Sequence, residues 1–163
     1  MRNFPAVGVL VCLVSTPLSL SARQNPPTPS HQHAASVMGF DQGRTAHHFW
    51  LFPDGGAIDV GVTDPADAKN REAIQSHLSH IAMMFGSGDF TAPMLVHDSA
   101  SVPGTKIMAE RKAAIRFQYV ETPTGGRVNI VTTDGSALAG VHEFLRYQIA
   151  EHKTGDQTTV RMR

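Results

Sequence analysis

The sequence predicts an α+β domain, a duplicated ββα unit forming a four-stranded antiparallel sheet with the helices on one face. Three observations predict it. The segments HHFWLFPDGGAIDVGVTD and FQYVETPTGGRVNIVTTD each give an apolar-rich run, a Pro and Gly-Gly turn, an alternating run and a closing Asp. Each is followed by a helical pattern that ends in Gly-Asp. An isolated two-stranded ribbon is marginal in water, so the two hairpins most simply complete one sheet between them.

Residues 1–22 read as an export signal. Arg2 precedes an apolar stretch from Ala6 to Leu20 that ends in the small residues Ser19, Ser21 and Ala22, which places cleavage near Ala22. Ser15, Thr16, Pro17 and Ser19 interrupt that stretch before it reaches the roughly 20 apolar residues a spanning helix needs. Val11, where a lipid anchor would require a small residue before Cys12, argues against lipidation. The expected product is periplasmic or secreted, with no membrane segment after cleavage. Its length of about 140 residues suits one domain with a real core. Cys12 is the sole cysteine of the 163 residues and leaves with the leader, which removes disulfides and thiolate ligands from the mature chain. Lys and Arg number 14 against 14 Asp and Glu, with no basic run, so nucleic acid is not an expected partner.

Residues 23–40 combine Pro with polar and small residues and read as a disordered tether. The single domain is expected over 41–156, with half-repeats 45–89 and 115–156 joined by a short helix near 103–114. Residues 157–163 have no apolar face of their own and read as a flexible tail. Within the first half, Ile58, Val60 and Val62 alternate with Asp59 and Gly61, the period of a strand with one buried face. The glycine pairs Gly55–Gly56 and Gly125–Gly126 are expected to supply the positive φ of tight hairpin loops. Asp64, Pro65 and Asp67 read as an N-cap, a first helical proline and an acid in the first turn. The helix that follows should bury Ile74, Leu78, Ile81, Ala82 and Phe85 and stop at Gly86. The second half repeats the plan with Val128, Ile130 and Thr132 in its strand, Asp134 at the turn, and Leu138, Val141, Leu145 and Ile149 on its helix. Pro103 should open the connecting helix through Ile107, Met108 and Ala114.

The chemistry concentrates in HLSHIAMMFGSGDFTAPMLVHD. On a helix His77, His80 and Met84 fall within about 60° of one another, beside the apolar face. Met94 and His97 follow a short loop that could return them to the same end of the helix. Imidazole and thioether together suit copper, so His77, His80, Met84, Met94 and His97 are the candidate metal ligands. A b-type haem is a weaker version of the same idea. The competing reading is packing, because methionine fills core gaps and His77 and His80 align with the rings of Phe144 and Tyr147 in the second half. His47 and His48 open the first strand and point to opposite faces, so only one of them can share a site. His142 reads as a hydrogen-bonded residue at the core edge. His31 and His33 lie in the tether. No GxSxG, P-loop or GxGxxG element is present, and nothing demands an enzyme.

The segments HHFWLFPDGGAIDVGVTD, HLSHIAMMFGSGDF, PMLVHD, VPG, GGRVNIVTTD and VHEFLRYQIAEHKTGD, spread over residues 44–156, resemble a family of small exported bacterial proteins of unknown function. Such sequences sometimes carry an aspartate carbamoyltransferase label. This chain does not support that label, since the enzyme's STRT-type phosphate loop is missing. The resemblance implies no mechanism. A second expectation of a different class therefore stands beside copper: a metal-free binding module of the cell envelope that engages a protein partner through an edge strand or the open sheet face, with Trp50 and Phe52 exposed for the purpose.

Overall fold

Each half supplies two eight-residue strands closed by a proline-led turn, and the computed structural model, which describes residues 38–163, pairs all four into one sheet. The stretch read as an export signal, with Cys12, His31, His33 and most of the stretch read as a tether, lies outside the described residues. The strands are β1 (Thr45–Phe52), β2 (Gly55–Val62), β3 (Ile115–Thr122) and β4 (Gly125–Thr132), in the antiparallel order β1-β2-β4-β3. The helices are α1 (Ala68–Ser87), α2 (Thr91–Val96), α3 (Thr105–Glu110) and α4 (Gly135–His152). The architecture is the duplicated ββα unit, with α1 and α4 on the same sheet face. Among the described residues no helix is long and apolar enough to cross a membrane.

The duplication is visible in the hydrogen bonding. Ile58 lies opposite Val128, its own counterpart in the second half, so a pseudo-dyad passes between them. Val62 N–H donates to the Thr124 carbonyl at 2.8 Å, and its counterpart Thr132 N–H donates to the Asp54 carbonyl at 2.9 Å. The helices exchange places across this axis. Leu78 of α1 lies over Gly126 of β4, and Leu145 of α4 lies over Gly56 of β2. Each helix thus covers the hairpin of the other half, and neither half contains its own core.

The glycine pairs do something other than expected. Phe52 pairs with Gly55 and Thr122 with Gly125, so the loop residues are Pro53–Asp54 and Pro123–Thr124, and the glycines begin the returning strands. Of the four, only Gly55 has a positive φ, at 141°. The others are required by close approach: a Cβ on Gly56 would strike the Trp50 carbonyl and the Leu145 side chain, and one on Gly126 would come within 2.7 Å of the Tyr119 ring. Backbone approach, not turn geometry, selects glycine there.

The helix boundaries also shift. Asp64 caps only a turn, accepting from Ala66 N–H at 2.9 Å. The N-cap of α1 is Asp67, whose carboxylate accepts from Asn70 N–H and pairs with Arg44 at 2.9 Å. In the second half Asp134 is the cap itself, accepting from Ala137 N–H at 2.8 Å. Gly86 lies within α1, and the helix ends instead at Gly88, whose φ of 85° L side chains avoid. The connecting segment holds α3 and a 3-10 turn at Lys112–Ala114, opened by Gly104 rather than by Pro103. α2, which the sequence reading did not anticipate, carries Met94 and precedes His97 directly.

The core lies between the sheet and the helices. Ile58, Val60, Val128 and Ile130 face Ile74, Leu78, Val141 and Leu145, all of them buried. The opposite sheet face is polar at its centre: Asp59 accepts from Arg127 Nε at 2.9 Å and from Trp50 Nε1 at 2.9 Å.

Candidate functional site

Strand alternation that buries Phe49 and Leu51 also turns His47 inward, because residues two apart share a face. On α4, Phe144, Gln148 and His152 form an i, i+4, i+8 row on the helix side facing β1. His77 on α1 and His97 at the end of α2 close the same space, with Phe40 packed among them. The result is a cavity of about 70 Å³ whose wall is apolar except for His47, His77, His97, Gln148 and His152.

The rings stand in succession. His77 meets the edge of Phe40 at 5.6 Å between ring centres, and Phe40 stacks on His47 at 5.9 Å. His47 lies nearly parallel to His152 at 5.2 Å and 20°, and His152 meets His97 edge-on at 5.2 Å and 84°. Tyr147 and Phe49 pack on the outer sides of His97 and His152. Burial in this apolar wall, reinforced by neighbouring imidazoles, pulls His47, His77 and His152 far below the usual 6.5. His47 falls to about 4 through burial and then His77 and His48, His77 to about 4 through burial and then His80, and His152 to about 3 through burial and then His47 and His97. These three rings are neutral at neutral pH and keep a free lone pair on nitrogen. His47 Nε2 and Gln148 Nε2 are both buried with no hydrogen-bond partner in the structure.

His97 Nε2 lies 3.0 Å from Gln148 Oε1. With the ring donating there, Nδ1 carries the lone pair, the arrangement by which an outer amide or carboxylate fixes the tautomer of a ligating histidine. Nitrogen ligates a metal at about 2.0 to 2.1 Å, which puts the ring centres of tetrahedral imidazole ligands about 5 Å from one another. The two 5.2 Å separations at His152 match that spacing. Ring orientation does not: among the described residues no three His, Cys, Asp or Glu side chains already converge as a metal set. The parallel rings of His47 and His152 would have to swing about their side-chain bonds to aim at one point.

The five ligands expected from sequence are divided by the structure. His77 and His97 line the cavity, whereas His80 lies exposed on α1 and is not part of the wall. Met84 and Met94 are half-buried and pack against the core outside the cavity lining. Two wall histidines, His47 and His152, were not among the expected five. A signal for each was present: His47 alternates with Phe49 and Leu51, and His152 extends the buried row of Phe144 and Gln148. His142 and His48 have structural partners instead. His142 Nε2 lies 2.9 Å from the Phe52 carbonyl and 3.0 Å from that of Gly55, holding the first hairpin loop to α4. His48 stacks on Trp50 and lies 3.0 Å from Asp156.

A second arrangement occupies the outer edge of β1. Asp156 accepts from Phe49 N–H at 2.9 Å, and Arg161 N–H donates to the Leu51 carbonyl at 3.0 Å. The Arg161 guanidinium sits 3.5 Å over the Trp50 ring, and that of Arg163 sits 4.6 Å over Phe52 and 3.2 Å from Asp54. Residues 157–163, without an apolar face of their own, are thus seated by backbone pairing and cation–π contact. Trp50 and Phe52, expected to be exposed, lie beneath them, with Phe52 only 4% accessible.

No protein-family model matches the chain, and no curated protein or solved structure is significantly similar to it.

Proposed function

We propose that this is an exported copper-binding protein whose ligands are the imidazoles of His47, His97 and His152, with His77 on the adjoining wall. The observation that carries the reading is the succession of imidazoles at 5.2 Å spacing in an otherwise apolar cavity, one of them with a buried, unpartnered Nε2. Neutral imidazole is the protonation state that a metal ligand requires, and at His47 and His152 burial has already removed the competing proton at physiological pH. An imidazole set without thioether does not select the cuprous state. The stability order of the divalent ions then favours Cu(II) over Zn(II), and the leader's removal leaves no thiolate to compete.

Titration of the full chain with Cu(II), Cu(I) and Zn(II) tests this. One equivalent of Cu(II) should bind with nitrogen hyperfine structure in its electron paramagnetic resonance spectrum. Replacing His152 and His47 by alanine should weaken binding by more than about a hundredfold, beyond what loss of an outer-shell partner does. A variant combining His80→Ala, Met84→Leu and Met94→Leu should bind as the parent does. Loss of binding in that variant alone would move the site to the exposed flank of α1, and equal affinity of all three proteins would remove the copper reading.

A further inference from the structure

The seat of the C-terminal segment on β1 has the features of a peptide-binding groove. Four groups take part: the Leu51 carbonyl, the indole face of Trp50, the ring of Phe52 and the carboxylate of Asp54. They meet alternate residues, Arg161 and Arg163, while Val160 before them and Met162 between them are 45% and 81% exposed. Period-two reading, with one backbone bond to a strand edge and pockets for every other side chain, is the geometry of strand addition. The recognised chemistry is specific. A planar guanidinium stacks on an aromatic face in a way an ammonium does not, so two such faces beside one acid favour Arg-x-Arg and leave the middle residue unread.

The segment is also held lightly. It makes one backbone hydrogen bond to β1, its ion pair joins side chains 45% and 51% exposed, and the chain leading to it turns at Lys153 and Gly155, both with positive φ. We propose that the Trp50–Phe52–Asp54 edge of β1 is a recognition groove for an extended Arg-x-Arg segment of another polypeptide, and that Val160–Arg163 is its resident, displaceable occupant. A partner bearing this pattern binds by replacing like with like, so the chain's own segment sets the threshold it must exceed. The groove lies on the opposite face of β1 from the imidazole wall, and its occupancy is independent of any metal.

Trp50 is the only tryptophan and lies beneath Arg161, which makes its fluorescence the reporter. The full chain carrying Arg161→Ala and Arg163→Ala should bind the hexapeptide TTVRMR in trans with a saturable change in Trp50 emission. It should also show amide shifts at Phe49 and Leu51. The peptide TTVAMA should give neither signal, and TTVKMK should bind about tenfold more weakly. The parent chain should need roughly tenfold more TTVRMR than the variant, because its own segment competes. If the alanine pair impairs folding, Arg161→Lys with Arg163→Lys weakens the same contacts and serves in its place, with a smaller gain in TTVRMR affinity over the parent. Absence of both signals at millimolar TTVRMR, or equal binding of TTVAMA, overturns the proposal.

Discussion

His47, His77 and His152 are uncharged in the folded chain because the wall around them excludes water, and each therefore links folding to pH. Their unfolded value is near 6.5 and their folded values are about 4, 4 and 3. Between those limits the unfolded chain binds protons that the folded chain refuses. Their stabilising effect is complete above about pH 6.5 and is lost as pH falls toward 4. Urea unfolding of the metal-free protein at several pH values should show this decline, with His48, His80 and His97 as the other imidazoles facing the three. The carboxylates Asp67, Asp89 and Asp156 are lowered, so their loss belongs to a separate window below their ordinary value of 3.8. Replacing His47 and His77 by phenylalanine should flatten the histidine window and leave the acid one. A slope unchanged by that pair would show that the rings are solvated. At Gly56, the closeness of the Trp50 carbonyl and Leu145 predicts that Gly56→Ala costs about 2 to 3 kcal/mol in chemical denaturation, whereas Gly86→Ala, with nothing within 4 Å, should not destabilise α1.

At the scale of elements, capping separates what a motif proposes from what the chain adopts. Asp64-Pro65 presents a strong helix start, yet α1 begins after Asp67, because that carboxylate reaches both the Asn70 amide and Arg44, a residue ahead of β1. The second half has no such competitor, and Asp134 caps α4 where the pattern places it. Asp134→Ala should lower stability by about 1 kcal/mol. Gln148→Ala should leave α4 intact but weaken Cu(II) binding by about 10 to 100-fold, since it removes the partner of His97 and no ligand. Strand alternation placed Ile58, Val60 and Val62 on a buried face, as the structure has them, but it left open which of His47 and His48 turns inward. The role of the glycines was not legible, because a pair beside a proline turn gives the same local pattern whether it bends the chain or admits a neighbour.

Taken whole, the molecule is two halves that complete each other. Since α1 covers β3 and β4 while α4 covers β1 and β2, a fragment of residues 38–103 keeps its hairpin and helix but lacks the layer that buries either. Such a fragment should lack the dispersed amide spectrum of a folded sheet, and mixing it with a fragment of residues 104–163 should restore dispersion. A folded first half alone would mean that α1 can pack on its own hairpin.

Periodicity, capping residues and the internal repeat determined from sequence that this chain forms two ββα units, one sheet and one helical layer. Those signals act over a few residues, and each element reports its own buried face. Only the tertiary structure decided which helix covers which hairpin. It also set His47 beside His152 rather than His77 beside His80, and laid an arginine pair over Trp50 and Phe52. These are contacts between residues distant in the chain, chosen by which apolar surfaces fit together once all the elements exist, and no local spacing encodes that choice.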